Sequence, residues 1–585
     1  MIGPLRCLLL GALVLFAVDA DALERGDLGH GVTVLQGEEP ERFEVEILGV
    51  MESWGSAGNT ILARLSGANL EKTGVLQGMS GSPVFVDGEL IGAVASTWGF
   101  ASEPIAGIRP IAEMRQLARD LESGVVDGLE LVAAPDVTEG GLVWAASGFA
   151  PGLQGAMADA LGAPVVQAAA VRGEATTPRG DGSLEGGDAV AVMLVDGDAR
   201  LFATGTVTER IGDTVLAFGH PFLGAGPVSL PMARAEVVAV MPSREISFKM
   251  AVPTEVVGAL ELDRRAGVAG RLGVTADTVP MRLTVTGAAA GVPQTYDFRL
   301  ARMRMLTPQL LGWAVQSAIN DRRELATDYR VDVATTVRFD GEPPLTTEAS
   351  FLGAAASAGL GSEVALPVQL VAFARDDTPR LESIEIDVRI EPGATGSLVG
   401  RIQVDDPRLV PGAVLDVRIE LLERDGSARW ERMRVDVPAN LQPGPYRLHV
   451  NDGVRAFGEE IARSPGRWSD LGMRQIREAF ALRRPADEIV GVLYGPSTSV
   501  VVRGIERENL PGIHRAALGR GYVTRGETSS LVTPLARTTI EAGTVVQGGG
   551  VLDLVVEPTP MASSEAPSSD QRNGKDARRD ASRER

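Results

Sequence analysis

Short stretches in which apolar and polar residues alternate run through most of this chain of 585 residues. A period of two is typical of β-strands that bury one face. It is clear at Gly31–Leu35 and Phe43–Val50, and over Ile384–Ile390 Ile and Val alternate strictly with Glu, Asp and Arg. We therefore predict a mainly β fold. Further predicted strands are Ala189–Val195, Leu201–Thr208, Val331–Arg338, Leu415–Leu421, Met433–Val437 and Ser499–Val502.

A few segments instead repeat apolar residues every three or four positions, which predicts helices. Pro110–Leu121 has Pro in its first turn, places Ile111, Met114 and Leu117 on one face, and is followed by Gly124 as a stop. A second helix is predicted after Thr307-Pro308, and a third at Ser469–Arg483.

The composition is that of an ordinary globular protein, predicted to form about three to five domains at this length. Hydrophobic residues make up 44% of the chain and charged residues 23%, which excludes a largely disordered chain. The formal net charge of −21 argues against nonspecific nucleic-acid binding, because such binding needs clustered Lys and Arg.

The first residues have the pattern of an export signal. Arg6 supplies a positive charge, Cys7–Val18 is a short apolar run, and Ala20-Asp21-Ala22 is similar to a cleavage site. About twelve apolar residues are too few to span a bilayer. We expect a protein exported to the periplasm, the cell envelope or the exterior, without a transmembrane segment after cleavage. Because Cys7 is the only cysteine, the mature chain would have no disulfide and no cysteine nucleophile.

The stretch GMSGSP at residues 78–83 has the composition of a serine nucleophile loop. Glycines on both sides of Ser80 permit a sharp turn that presents a hydroxyl. The backbone N–H groups of Gly78 and Ser80 could then hold a developing oxyanion. The flanking strands Val84–Val86 and Leu90–Val94 meet at Asp87-Gly88, a hairpin signal. The alternative is an ordinary Gly/Ser turn between strands.

A second candidate, His220, follows the predicted strand Thr214–Phe218 and Gly219. A histidine held at the end of a strand is a candidate general base. The alternative is a histidine that only caps the strand end. The other histidines are scattered and show no HExxH spacing, so we predict no metal site and no cofactor. They are His30, His449 and His514.

Both candidates lie in segments that resemble one protein family. Phe43–Val50, Thr73–Val94 and Pro104–Ile108 resemble the nucleophile half of the SpoIVB-type serine peptidases. The resemblance implies a trypsin-like fold of two β-lobes, and it implies that Ser80, rather than Ser82, is the nucleophile. The segments that resemble the histidine half of the same family are Gly205–Thr208, Phe218–His220 and Gly267–Gly270.

The chain departs from that family in two respects. The family's histidine half precedes its serine half, whereas His220 follows Ser80 here. We interpret the order as a circular permutation, because a two-lobed protease closes its site across two barrels. The competing interpretation is that one half is kept only as a structural module.

The family's aspartate before the serine loop is also missing. Leu65–Leu70 occupies that segment, and Ser66 lies near the expected position of the acid. Such a carboxylate would fix the tautomer of the imidazole. Ser66 itself is one candidate to orient His220, and three carboxylates are named as substitutes: Asp213, Asp263 and Glu103.

The predicted organisation follows from these segments. A meander of strands that turns at Asp425-Gly426 is most simply an immunoglobulin-like sandwich. The predicted parts are a signal peptide at 1–22, the nucleophile half at 23–135, a linker at 136–188, the histidine half at 189–280, an α+β accessory region at 281–379, the immunoglobulin-like β domain at 380–455, an α+β region at 456–560 and a disordered tail at 561–585.

Two functional hypotheses remain. In the first, an exported serine endopeptidase acts on a protein or peptide substrate. Ser80 attacks the scissile carbonyl, His220 acts as base and then acid, and the N–H groups of Gly78 and Ser80 bind the oxyanion. In the second, a catalytically inactive envelope protein keeps the peptidase fold as a protein-binding scaffold. The sequence does not indicate an oligomeric state.

Overall fold

The structure is a computed structural model, and 54% of it is strand and 18% helix. The predicted mainly β fold is therefore confirmed. The predicted signal peptide and disordered tail lie outside the described residues. Those residues are 23–51, 59–124, 142–168, 183–288, 292–320, 329–353, 356–374, 379–392, 396–423, 425–468, 472–496, 499–502, 505–507, 510–514, 527–529 and 531–558.

The first part of the chain forms a closed barrel of six strands. Its core contains Phe43, Ile47, Leu65 and Ile108. Around the barrel the strands follow the order β1-β2-β3-β6-β5-β4. Their bounds are β1 (Leu28–Val34), β2 (Pro40–Met51), β3 (Thr60–Ser66), β4 (Pro83–Val86), β5 (Glu89–Thr97) and β6 (Ile105–Pro110).

Two helices belong to this first barrel. The short helix α1 (Leu70–Thr73) precedes the serine loop. Helix α2 (Ile111–Ser123) follows β6 and ends at Gly124, whose φ of 63° is the left-handed conformation of a helix stop. The predicted helix at Pro110–Leu121 is confirmed. The predicted hairpin at Asp87-Gly88 also forms, since both residues have positive φ as a two-residue primed turn requires.

The segment expected to be a linker at 136–188 contributes ordered elements to the fold. Its described residues form β7 (Trp144–Ser147), α3 (Gln154–Leu161) and β8 (Val165–Gln167). The Trp144 side chain is fully buried in the largest hydrophobic core. The expectation of a linker is therefore wrong for residues 142–168, because their apolar side chains complete the core of the neighbouring sheet.

A second ring of six strands follows. The hydrogen-bonded order is β9-β12-β13-β14-β11-β10, and β10 pairs back onto β9 to close it. Strand β7 extends this sheet by pairing with β10. The bounds are β9 (Ala189–Gly197), β10 (Arg200–Ile211), β11 (Thr214–Ala217), β12 (Gly226–Met241), β13 (Phe248–Arg264) and β14 (Gly267–Leu272).

The two barrels pack directly against each other. Met114 and Leu117 of α2 share a small core with Leu216 and Leu262 of the second barrel. The long hairpin β12–β13 reaches the first barrel, where Val237 and Gly37 exchange backbone hydrogen bonds of 2.7 and 2.9 Å. The expected pair of adjoining β-lobes is thus present. That their order is a circular permutation of the family order stays a prediction.

The sheet of the second barrel continues into the accessory region, in the order β18-β17-β19-β15-β16-β9. Two helices, α4 (Thr307–Asn320) and α5 (Ala356–Ala372), cover it and share its core. The strands are β15 (Thr278–Thr286), β16 (Gln294–Ala301), β17 (Tyr329–Phe339), β18 (Leu345–Leu352) and β19 (Leu381–Pro392).

Two four-stranded sheets enclose a separate core in the last part of the chain, in the orders β22-β21-β20-β29 and β28-β24-β23-β30. The strands of these two sheets are β20 (Gly396–Val404), β21 (Val414–Glu423), β22 (Ala428–Asp436), β23 (Gly444–Asp452), β24 (Glu488–Pro496), β28 (Val532–Glu541), β29 (Val545–Gln547) and β30 (Gly549–Val556). The same part of the chain contains the helices α6 (Gly453–Arg463) and α7 (Met473–Ala481). It also contains a small sheet of β25 (Val500–Val502), β26 (Ile505–Arg507) and β27 (Glu527–Ser529).

The predicted sandwich boundary at 380–455 is corrected by these pairings. Strand β19 pairs with β15 and β17 in the large sheet, because its alternating Ile and Val residues fill the core beneath α4 and α5. The sandwich takes its remaining strands from residues as late as Val556. An immunoglobulin-like topology stays a prediction. No helix in the described part of the chain combines the length and the apolar character needed to cross a membrane.

Candidate functional site

The serine loop joins α1 to β4 and is held in a tight conformation. Gly78 and Gly81 have φ values of 93° and 95°, which residues other than glycine rarely adopt. The Gly81 N–H donates to the Val94 carbonyl at 2.7 Å, and the Ser82 N–H donates to the Met79 carbonyl at 2.9 Å. The local turn therefore exposes one side of Ser80 while its neighbours are fixed to the barrel.

The two serines of the loop have different surroundings. The Ser82 hydroxyl is fully buried and donates to the Met79 carbonyl at 2.6 Å. The Ser80 hydroxyl forms no hydrogen bond with any residue in the described ranges. Ser82 therefore stabilises the turn, whereas Ser80 has a hydroxyl available for chemistry.

The backbone donors of the loop show a similar division. The N–H groups of Gln77, Met79, Gly81 and Ser82 all donate to carbonyl groups. Within the described residues, those of Gly78 and Ser80 have no such partner. Two unpaired N–H groups beside a serine hydroxyl are the arrangement that an oxyanion hole requires.

Strand β10 of the second barrel holds this loop in place. The Thr206 N–H donates to the Ser80 carbonyl at 2.8 Å, and the Thr206 hydroxyl donates to the Gly78 carbonyl at 2.9 Å. The Thr208 hydroxyl donates to the Gly81 carbonyl at 2.7 Å. The second barrel thus fixes the loop geometry through three hydrogen bonds.

Ser80 lies on the wall of a narrow cavity of about 80 Å³ between the barrels. Gln77 and Gly78 line it from the first barrel, and β8, β12 and β13 line it from the second. Most of its wall is apolar, with Val166, Val238 and Val252 among the lining residues. The serine is thus largely buried, and the cavity beside it is mostly apolar.

Lys249 at the start of β13 lines the same cavity. Its N–H donates to the Gln77 carbonyl at 3.0 Å, and its stem packs on Gly78, where an added Cβ would lie 3.2 Å from Lys249 Cδ. Lys249 Nζ donates to Thr33 Oγ1 at 2.6 Å and to Thr206 Oγ1 at 3.4 Å. Burial lowers the pKa of the Lys249 amine to about 7, because an apolar environment disfavours its charge.

His220 lies in the turn after β11, buried beside the first barrel. Its Nδ1 is 2.7 Å from the Pro221 carbonyl oxygen. A carbonyl only accepts, so Nδ1 carries the proton. Nε2 is buried and has no hydrogen-bond partner among the described residues. Burial, helped by the charge of Arg109 and opposed by the hydrogen bond to Pro221, lowers the pKa of His220 to about 4.

His220 is therefore a neutral imidazole at pH 7 with a free lone pair on Nε2, as a general base requires. It does not line the cavity that Ser80 and Lys249 share. Its predicted role as the base stays a prediction.

The four candidates for the missing acid all have other partners. The Ser66 hydroxyl donates to Glu44 at 3.4 Å, and Glu103 pairs with Arg64 at 2.9 Å. Asp263 accepts the N–H groups of Phe222, Leu223 and Ala225 at 2.7 to 3.1 Å. The carbonyl of Asp213 accepts from Leu272 N–H.

None of these four forms a hydrogen bond with His220 within the described part of the chain. The Pro221 carbonyl orients the ring instead. Asp263 acts one step away, since it fixes the backbone that follows His220.

The remaining histidines have separate surroundings: His30 stacks on Phe85, and His449 Nδ1 lies 2.8 Å from Glu459. In the described residues no group of three or more His, Cys, Asp or Glu side chains is placed to hold a metal ion.

The serine loop lies within a recognised family segment, since residues 20–113 match the family model of SpoIVB peptidase S55. The matched segment contains Ser80 and ends before His220, so it covers the first barrel and not the second. No curated protein and no solved structure matches the chain.

Sequence reasoning missed Lys249. The chain contains three lysines, Lys72, Lys249 and Lys575, against a Lys and Arg total of 56. In a protein that uses arginine for nearly all positive charge, a lysine between the apolar residues Phe248 and Met250 is a signal. The sequence could not show that this strand reaches the serine loop of another barrel.

Proposed function

We propose that this chain is a serine endopeptidase in which Ser80 attacks the scissile carbonyl. One observation carries the proposal: the unpaired Ser80 hydroxyl lies beside the unpaired N–H groups of Gly78 and Ser80, on the wall of a cavity between two barrels. The glycine φ values and the hydrogen bonds from β10 hold this arrangement in advance of substrate. Preorganised donors of this kind stabilise a tetrahedral oxyanion.

The proposed substrate is a protein or peptide bound in extended form. Strand β8 lies at the end of its sheet and lines the cavity of Ser80. An extended peptide can add to such an edge through main-chain hydrogen bonds. The valines of the cavity wall favour an apolar side chain next to the scissile bond. The family of residues 20–113 supports the same substrate class.

A fluorophosphonate probe tests the nucleophile. We expect covalent labelling at Ser80, because the serine and the oxyanion hole recognise the phosphonate as they would a tetrahedral intermediate. Ser80→Ala should abolish labelling. Ser82→Ala is the matched control: it removes one hydrogen bond, worth about 1 kcal/mol, and should label almost normally. Peptide mapping of the labelled chain identifies the modified residue.

One observation favours the second hypothesis, a non-catalytic binding scaffold. Among the described residues, no carboxylate hydrogen-bonds His220, although peptidases of this kind use one. Folded full-length chain that is not labelled at Ser80 under any condition from pH 5 to pH 9 would favour the scaffold. We also propose export, which the pattern of Met1–Ala22 supports.

A further inference from the structure

The cavity that contains Ser80 holds one ionisable side chain among its described lining residues, that of Lys249. Lys249 contacts the serine loop through both its main chain and its side chain. Its main chain pairs with Gln77, and its methylene groups pack against Gly78. Its amine lies at the hydroxyl of Thr206, which also holds the Gly78 carbonyl. A movement of Lys249 would therefore also move the serine loop.

We infer that Lys249 is the general base that takes the proton from Ser80, so that the site is a serine–lysine pair closed across the two barrels. This inference rests on the proposed function and names a catalytic residue that sequence reasoning did not find. Serine–lysine pairs are a recognised variant of the serine–histidine–acid arrangement, and they need a lysine that is uncharged at working pH.

The surroundings of the amine suit that role. A neutral amine has two N–H bonds and one lone pair. The hydroxyl oxygens of Thr33 and Thr206 accept the two N–H bonds, which leaves the lone pair for a third direction. Ser80 has an unpaired hydroxyl on the wall of the same cavity. Burial already lowers the pKa of Lys249 to about 7, close to the value that makes a base efficient at neutral pH.

In the described part of the chain, no charged neighbour stabilises the protonated form of the Lys249 amine. Lys249 forms no ion pair with any described residue, and burial is the cause of its lowered pKa. Glu209 is held by Arg115 at 2.7 Å, and Arg234 lies 3.5 Å from Glu38. Strands β7 and β8 carry no ionisable residue. Strands β1, β10 and β12 and the rest of β13 carry charged or titratable residues, but none of these lines the cavity. They are His30, Arg200, Glu209, Arg210, Arg234, Glu236, Glu255, Glu261, Asp263 and Arg264.

The proton transfers balance with water as the only co-reactant. Ser80 Oγ gives its proton to Lys249 Nζ as it bonds to the carbonyl carbon, and the carbonyl electron pair moves to oxygen. Collapse breaks the C–N bond, and the Lys249 ammonium protonates the leaving amine. Water then gives a proton to Lys249 as it attacks the acyl-enzyme. That proton returns to Ser80 Oγ when the acid product leaves.

The test measures the rate of fluorophosphonate labelling at Ser80 in the full chain from pH 5 to pH 9. For the wild-type chain we expect half of the plateau rate near pH 7 and a tenfold fall per pH unit below it, since only the neutral amine accepts a proton. Lys249→Met should lower the plateau rate by about 100-fold or more, the contribution of a positioned base. Lys72→Met is the matched control, since Lys72 is exposed on α1, and it should label normally.

The outcomes separate the two proposals. Wild-type chain that does not label overturns the proposed function and this inference with it. Wild-type labelling together with undiminished labelling of Lys249→Met overturns this inference alone. A wild-type rate that does not change between pH 5 and pH 9, as a base with a pKa of about 4 would give, combined with lost labelling in His220→Gln, assigns the base to His220 and overturns the inference too. The wild-type pH profile needs no variant, so the inference remains testable if Lys249→Met does not fold.

Discussion

Residues of one type have different roles here because of the atoms around them. Ser80 and Ser82 are two positions apart, yet only Ser82 uses its hydroxyl to hold the Met79 carbonyl. Asp263 was a candidate acid, but its carboxylate accepts backbone N–H groups from the turn after His220. Burial raises the pKa of Asp263, and these hydrogen bonds oppose the shift. The residue type allows the role, and the neighbours decide it.

Gly81 is the residue on which docking of the loop depends most. A Cβ at this position would lie 1.9 Å from the Thr206 carbonyl oxygen and 2.5 Å from the Phe218 nitrogen. We expect Gly81→Ala to destabilise the contact between the barrels by about 3 kcal/mol, because backbone must move in addition to the strain of a positive φ. Hydrogen exchange at Thr206, whose N–H bonds the Ser80 carbonyl, measures the loss.

Gly88→Ala is the control for that measurement. Gly88 has a similar φ of 84°, and no atom lies within 4 Å of an added Cβ. This variant should show only the conformational strain, about 1 kcal/mol. Equal protection of the Thr206 amide in the two variants would contradict the argument that the steric contact at Gly81 matters.

At the scale of elements, the long hairpin β12–β13 connects the barrels. It carries Lys249 from the second barrel to the serine loop of the first. Ser247 lies just before β13. Its carbonyl accepts the Gln77 N–H at 2.8 Å, and its hydroxyl donates to the Thr73 carbonyl at 2.6 Å. The hairpin β12–β13 therefore extends beyond its own barrel and brings Lys249 to the serine loop.

The accessory strands likewise complete the second barrel instead of following it as a separate unit. Strand β16 pairs with β9 at residues 298–300. One continuous core joins Trp144 and Leu230 of the barrel region with Leu310 of α4 and Ile386 of β19. A mostly independent accessory domain would have its own core, as the sandwich does.

Shortening the chain tests this continuity. We expect a chain that ends after residue 276 to aggregate, because it exposes apolar side chains that each contribute about 1.5–3 kcal/mol when buried. A chain that ends after residue 394 keeps β15 to β19 with α4 and α5, and should remain soluble. Size-exclusion chromatography compares the two. A monodisperse short chain whose β9 amides are as protected as in the full chain would show that the barrel is self-sufficient.

At the scale of the whole molecule, the sequence predicts export, and that proposal can be checked directly. Because Ala20-Asp21-Ala22 ends a short apolar run, we expect signal peptidase to cleave after it. N-terminal sequencing of protein from the extracytoplasmic fraction should find a chain that begins near Leu23. An intact Met1 in that fraction would rule out cleavage at this site.

The sequence by itself determined the local features. Alternation of apolar and polar residues predicted the mainly β fold, Asp87-Gly88 predicted a hairpin, and the glycines around Ser80 predicted a sharp loop. These features depend on neighbours within a few positions, where propensity and side-chain period act directly.

Tertiary structure decided what lies next to Ser80. The Lys249 N–H donates to the Gln77 carbonyl across 172 positions of the chain, and Thr206 reaches the loop from another barrel. Such contacts follow from how sheets close and pack, which no local pattern contains. The same reason explains the misplaced sandwich boundary, since the alternation of β19 predicts a strand and does not say which sheet the strand joins.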